Sequence, residues 1–383
     1  MWLKIILNGA GAIIMIKSTG PKFISERMAE AYQNSLMNYR DYSGTAAAVR
    51  DYELKLEARL NVKHVIAVSS GTAAIHAGLV ALGVGKGSRV AVPAICAVMT
   101  VLPVLQLGAT PVVIDTDGDS FCLDPEQLES ELNNGLAAII ACGMWGNPGT
   151  SETMLLLSRR FNVPLLEDAA QSFGASTPCG QEGLKGHLGC FSTHEYKLLS
   201  TGEGGFVSTN DTDLAERLRA FIRLGFDGNG YGNQFGVNYK LSGYQAIAGL
   251  HSLTGLDNYL SSREALCSAW LESLSLLPQL KSLPVADNGK VAPYACAMQF
   301  NDNTDGLHFA AELAALGLLT DPYRYELKPI TCYPVFAEYH PGDDKLPKAM
   351  KFIRRLLILP VHDNIKSADI AEGSRLISSL IKG

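Results

Sequence analysis

The stretch Cys190-Phe191-Ser192-Thr193-His194-Glu195-Tyr196-Lys197 carries a serine, a histidine and a lone lysine at the end of a strand-like run. A glycine-rich turn, Thr201-Gly202-Glu203-Gly204-Gly205, then leads into a second strand, Gly205 to Thr209. Upstream, Leu165-Leu166-Glu167-Asp168-Ala169-Ala170-Gln171 reads as a buried strand that ends in an acid. A lysine and an acid at adjacent strand ends are what pyridoxal 5'-phosphate (PLP) chemistry requires. The lysine forms the Schiff base, and the acid keeps the pyridine nitrogen protonated so that the ring can accept electrons. Taken singly, a lysine and a strand-end acid are ordinary surface features, so the elements that would hold them decide.

From Val62 to Thr209 short β-branched runs alternate with helical patterns. The expected strands are His64–Ser69, Arg89–Ile95, Pro111–Asp115, Ala137–Gly143, Pro164–Asp168, Gly189–Ser192 and Gly205–Thr209. Amphipathic segments Thr72–Leu82, Pro125–Leu132 and Ser151–Phe161 fall between them. Apolar strands separated by helices predict a mainly parallel sheet covered on both faces, with ligands at the carboxyl ends of its strands. Asp168 lies at such an end, and so does Ser69-Ser70-Gly71-Thr72, which closes one strand and opens a helix. Free N–H groups and the dipole at a helix start favour an anion, so this turn is the candidate phosphate cradle. It is also an ordinary N-cap sequence. Gly83-Val84-Gly85-Lys86-Gly87-Ser88 precedes a strand and lacks the Walker spacing, and so reads as a turn.

Beyond Thr209, Asp213-Leu214-Ala215-Glu216 has the spacing of a helix start, and Gly225 to Gly232 reads as a mobile loop. One long helical region is expected from Ser242 to about Leu276. Strand Ala295–Phe300 and helices His308–Leu316 and Ala368–Ile381 then suggest a smaller α+β unit. The expected division is residues 1–255, a large PLP-binding α/β domain with an N-terminal arm, and 256–383, a small C-terminal α+β domain.

The 383 residues are 47% hydrophobic and 18% charged, enough for a sizeable core and for further burial in an oligomer. A net charge of −6 with no Lys/Arg run argues against nucleic acid. The eight cysteines contain no Cys-x-x-Cys pair, and the eight histidines show no zinc-ligand spacing, so reduced core cysteines, a cytoplasmic setting and no metal are expected. The apolar stretch Met1 to Ile16 resembles a short signal sequence, but it is too short to span a bilayer and no small-x-small cleavage site stands out. Met15 is an alternative start. No membrane association is expected.

In these blocks the chain resembles the DegT/StrS-type sugar aminotransferases, which are fold type I PLP enzymes. The resemblance runs from about Tyr52 to Leu253 and returns at Leu356-Leu357-Ile358-Leu359-Pro360-Val361-His362. It rests on Ser69 to Ala74, Glu167 to Gln171, Phe191-Ser192-x-His194-x-x-Lys197, Thr201 to Gly205, and Gly236-Val237-Asn238-Tyr239-Lys240-Leu241-Ser242.

The resemblance implies a role for each matching residue. Lys197 would form the Schiff base and carry the proton, Asp168 would pair with the pyridine nitrogen, and Gln171 would lie near the phenolic oxygen. Ser70, Gly71, Thr72 and Ser192 would hold the phosphate. Asn238 would reach that phosphate from the neighbouring subunit, making a homodimer with shared active sites. His194 reads equally as a packed residue orienting the lysine loop and as a catalytic one. Tyr323, Arg324 and Tyr325 read as substrate contacts or as an ordinary interface. The implied reaction moves an amino group from glutamate or glutamine to a keto group of a sugar, cyclitol or related intermediate. The rival is PLP-dependent elimination, replacement or condensation on an amino-acid-derived substrate. Two departures motivate that rival: Ala97 stands where the family has an aromatic residue stacked on the ring, and Gly143 where it commonly has a histidine. Both are expected to open space around the ring.

Overall fold

The computed structural model describes residues 16–20, 26–39, 42–339 and 346–382. The reading of the extreme N-terminus falls on residues 1–15, outside the described residues.

Twelve strands form three sheets among the described residues. The strands are β1 (His64–Val68), β2 (Arg89–Pro93), β3 (Thr110–Ile114), β4 (Ala138–Cys142), β5 (Leu165–Asp168), β6 (Ser176–Thr177), β7 (Gly180–Gln181), β8 (Leu188–Ser192), β9 (Gly205–Thr209), β10 (Leu280–Ser282), β11 (Cys296–Phe300) and β12 (Leu356–Leu359). The helices are α1 (Glu26–Tyr39), α2 (Ala47–Leu60), α3 (Gly71–Ala81), α4 (Val98–Gln106), α5 (Pro125–Asn133), α6 (Glu152–Phe161), α7 (Thr212–Ile222), α8 (Gly243–Thr254), α9 (Leu256–Leu274), α10 (Gly306–Ala315), α11 (Asp321–Arg324), α12 (Pro347–Ile353) and α13 (Ser367–Lys382).

The large sheet has the order β1-β9-β8-β5-β4-β2-β3. The pairs β2–β3, β2–β4, β4–β5 and β5–β8 are parallel, whereas β9 runs antiparallel to both neighbours. This is the mainly parallel α/β sheet that the apolar runs predict. β4 and β5 are buried at every position, because helices cover both faces. At the register pair Phe191↔Phe206 the two rings stack 4.4 Å apart, worth about 0.5–1.5 kcal/mol beyond burial.

The small sheet, β10-β11-β12, is antiparallel throughout. Trp270 and Leu274 of α9, Phe309 and Leu313 of α10 and Ile377 of α13 pack over it, and Ile16 joins the same core.

Several expected boundaries move for local reasons. α7 is capped by Asp211, whose carboxylate accepts from Leu214 N at 3.0 Å, and not by Asp213. The expected long helix is two, α8 and α9, separated at Gly255 (φ −100°, ψ 2°). A reciprocal Ser242–Gln245 capping box starts α8. Residues 225–233 form a turn braced by Asp227 Oδ1, which accepts from Asn229 N (2.9 Å) and Asn233 Nδ2 (2.8 Å). α4 escapes a sequence reading because Val98–Gln106 is apolar nearly all round and contains Pro103.

No helix among the described residues is long and apolar enough to cross a membrane. All eight cysteines are free; Cys96, Cys122, Cys142, Cys190 and Cys296 are buried, while Cys179 and Cys332 are exposed.

Candidate active site

β5 and β8 lie side by side with Asp168 in register with Cys190, so the ends of both strands open on one edge of the sheet. Beyond β8 the chain makes a closed loop that displays Lys197. Its neck is tied by Thr201 N to Thr193 O (2.7 Å), Thr193 N to Gly204 O (2.9 Å), and the two threonine hydroxyls at 2.6 Å. Both threonines are buried, so the loop is anchored at its base while Lys197 stays half-buried at its crest. Gly202 and Gly204 supply the positive φ values, 82° and 145°, that the return into β9 requires.

Asp168 is 4% exposed, and both of its carboxylate oxygens accept hydrogen bonds. Thr100 of α4 donates to its Oδ2 at 2.7 Å, Ala170 N donates to Oδ1 at 3.1 Å, and the Cys142 thiol approaches Oδ2 at 3.7 Å. Burial pushes the carboxyl above its ordinary range, opposed by Thr100, Ala170 N, the positive charge of Lys197 and Cys142. A cationic nitrogen delivered here meets an oriented acid with little water to compete.

The third component is the start of α3. Ser70 Oγ caps the helix by accepting from Ala73 N at 3.0 Å, which leaves the N–H groups of Gly71 and Thr72 without helical partners. Two glycines let this helix end approach the strands. A Cβ on Gly71 would stand 2.8 Å from Ser192 Cβ, and one on Gly205 would stand 2.5 Å from Phe191 O and 2.8 Å from the Ser70 carbonyl carbon. The helix start and Ser192 therefore lie together, and Ser192 shares a small cavity with Lys197.

Gln171, Ser192, Lys197 and Tyr294 line one small cavity. Gln171 Oε1 accepts from Trp145 N at 3.1 Å, and Trp145 Nε1 donates to the buried Asp321 Oδ2 at 2.9 Å. Lys197 Nζ donates to Tyr294 Oη at 3.4 Å. Tyr294 also lines a second, polar cavity with Ser18, Tyr196, Arg263, Asp321 and His362.

The other expected residues lie further out. His194 turns its ring toward the exposed Glu203 carboxylate, 3.5 Å away. Asn238 is exposed beside the end of β1 and bonds Lys240 Nζ. Tyr323 and Tyr325 are exposed, while the Arg324 guanidinium lies over the rings of Tyr325 (5.0 Å) and Tyr196 (5.8 Å). One expectation is corrected: Gly143 opens no space. A Cβ there would overlap the Ser172 side chain and stand 2.8 Å from Asn147 O. Thr100, Trp145, Tyr294 and Asp321 were not singled out as active-site residues in the sequence.

Among the described residues no group of three or more His, Cys, Asp or Glu could hold a metal ion. A buried acid, a displayed lysine and a capped helix start lie around one sheet edge. The DegT/DnrJ/EryC1/StrS aminotransferase family model matches residues 24–375, so the chain belongs to that family: it is an aminotransferase, and its cofactor is PLP. It is 31% identical over 358 residues to GDP-perosamine synthase of Caulobacter vibrioides, covering 90% of this chain and 94% of that one. It is 30% identical over 323 residues to the UDP-2-acetamido-2-deoxy-3-oxo-D-glucuronate aminotransferase of Pseudomonas aeruginosa, covering 84% and 88%. The crystal structure of a DegT/DnrJ/EryC1/StrS aminotransferase from Brucella abortus superimposes with a TM-score of 0.83 at 29% identity, covering 94% of this chain and 96% of that one.

Proposed function

We propose that this chain transfers an amino group from an amino acid, glutamate or glutamine, to the keto group of a nucleotide-linked sugar. The observation that carries the reading is the single sheet edge that holds Asp168, Lys197 and the Gly71–Ser192 approach together. The relatives' names, one for the synthesis of a GDP-linked amino sugar and one for an aminotransferase of a UDP-linked oxo sugar, support the acceptor class.

The residues fit PLP. When bound, the cofactor supplies an aldehyde that exchanges imine partners and a ring that accepts an electron pair. Lys197 is the amine that would bond it and would carry the migrating proton on Nζ. Asp168, oriented by Thr100, would face the pyridine nitrogen and keep its proton in place. Ser70, Gly71, Thr72 and Ser192 would bind the phosphate. The Gln171 amide, fixed on one side by Trp145 N, would turn its remaining face to the phenolic oxygen. Asn238, exposed in a single chain, would complete the phosphate site of a partner subunit. His194 has the orienting role for the lysine loop, through its contact with Glu203. The reading includes a homodimer in the cytoplasm. It also includes a division near Gly255, with Ile16 crossing back to pack on the small sheet.

The closed space at Gly143 removes half of the motive for the elimination or replacement rival.

The test is the visible spectrum of the purified protein before and after L-glutamate or L-glutamine, followed by GDP-, UDP- or dTDP-linked keto hexoses. A yellow protein that bleaches with a donor and recovers its colour with one sugar supports the reading. A yellow protein that no donor bleaches would overturn it.

A further inference from the structure

We propose that Tyr294 is a catalytic residue: its phenol oxygen docks the Lys197 amine at the point where that amine takes up and gives back the migrating proton. This rests on the assignment of Lys197 as the bonding lysine. Among the described residues Tyr294 Oη is the hydrogen-bond partner of Lys197 Nζ, at 3.4 Å, and the cation lies 5.2 Å from the ring centroid.

The backbone that carries the phenol is fixed from two sides. Arg263 on α9 is 4% exposed and donates twice to this segment and once within its own helix. Its Nε donates to Pro293 O (2.8 Å), Nη2 to Tyr294 O (2.7 Å) and Nη1 to Tyr259 Oη (2.9 Å). On the other side Ala292 N donates to Gly146 O at 2.8 Å, and Gly146 N donates to Gln171 O at 2.9 Å. The backbone that carries Tyr294 is thus pinned both to α9 and to the turn that positions Gln171. A buried arginine whose donors bracket two successive carbonyls holds the Pro293–Tyr294 backbone against α9.

The chemistry asks for a group that suits Nζ in both protonation states. As an ammonium, Nζ donates to the Tyr294 oxygen. After the proton has passed back to carbon, the neutral amine has a lone pair, and the Tyr294 O–H rotates to donate to it. The proton count closes on Nζ and carbon alone: one N–H bond forms as one C–H bond breaks, then the reverse, and the tyrosine neither gains nor loses charge. Without the hydroxyl, the released amine would explore other rotamers between the two transfers, and the geometry needed for transfer would be met less often.

The experiment compares Tyr294→Phe and Arg263→Gln with the parent, as holoenzyme and as apoprotein. In Tyr294→Phe, kcat for either half-reaction should fall about 10- to 100-fold, with the KM for donor within about twofold. In the apoprotein, the rate at which Lys197 takes up added PLP, trapped with borohydride, should also fall, because the undocked amine explores other rotamers. Arg263→Gln should move both readouts the same way by less, and add nothing in the Tyr294→Phe background. Unchanged kcat together with an unchanged rate of PLP uptake in Tyr294→Phe would overturn the proposal. An Arg263→Gln loss of equal size in both backgrounds would overturn the bracket. Lys197→Ala separates the two levels: if that variant still forms a borohydride-reducible adduct with PLP, the lysine assignment itself fails.

Discussion

Thr100 Oγ1 donates a 2.7 Å hydrogen bond to Asp168 Oδ2, linking the first turn of α4 to the last residue of β5 across the mouth of the sheet. A charged acceptor makes this bond worth about 1.5–3 kcal/mol. Thr100→Val keeps the shape and removes the donor, so turnover should fall about tenfold or more and the thermal midpoint should drop by several degrees with it. Asp168→Asn should retain bound PLP and lose turnover by a larger factor. Near-normal rates in Asp168→Asn would make the acid structural.

Ala97 caps α4 three residues before Thr100 and is part-exposed. An aromatic residue here adds a face for the ring, about 0.5–1.5 kcal/mol. Ala97→Tyr should therefore tighten pyridoxamine phosphate binding about two- to tenfold by fluorescence titration. Weaker binding would show that the side chain points elsewhere.

Gly143 has no room for a side chain beside Ser172 and Asn147 O. Gly143→Ala should destabilise the fold by about 1–3 kcal/mol, and adding Ser172→Gly should recover only part of it, because the Asn147 carbonyl remains. Chemical denaturation of both variants checks this. A neutral Gly143→Ala would restore the open-pocket expectation.

Glu167 lies beside Asp168 but points away from the site, into a cluster with Glu182 and Lys185. The Lys185 ammonium is 2.5 Å from Glu182 and 3.9 Å from Glu167, and all three side chains are at most 1% exposed. Burial first, then the Glu182 charge, push the Glu167 carboxyl up to about 7 from 4.5, against the pull of Lys185. Between those values the folded protein keeps a proton that the unfolded chain has released, so this site lowers stability as pH rises from about 4.5 to 7. Glu167→Gln should flatten that part of the stability profile. Lys185→Met, which leaves two acids unpaired, should steepen it and cost about 3–5 kcal/mol. A parent-like slope in Glu167→Gln would place the titration elsewhere.

The parts of the site legible in the sequence are those whose neighbours in the chain announce them. Asp168 ends an apolar run, Lys197 sits between a strand and glycines, and Ser70-Gly71 marks a strand-to-helix turn. The parts missed depend on contacts that no local pattern encodes. Thr100 meets Asp168 across 68 residues, Lys197 meets Tyr294 across 97, and Trp145 meets Asp321 across 176. Strand positions followed from apolar runs, while exact ends moved with caps such as Asp211. The expected gap at Gly143 failed for a related reason, since the residue that fills it, Ser172, comes from a different segment.

Gly71 and Gly205 shape the cradle by what they lack, and the tight approaches at each are to Ser192, Phe191 and Ser70, in packed strands and a helix cap. In a saturation library these two positions should tolerate nothing else, not even alanine, while exposed loop positions away from the site accept many residues. Evolution could then retune this enzyme's sugar acceptor through the exposed loops, yet it has no single-step route that reshapes the anion cradle.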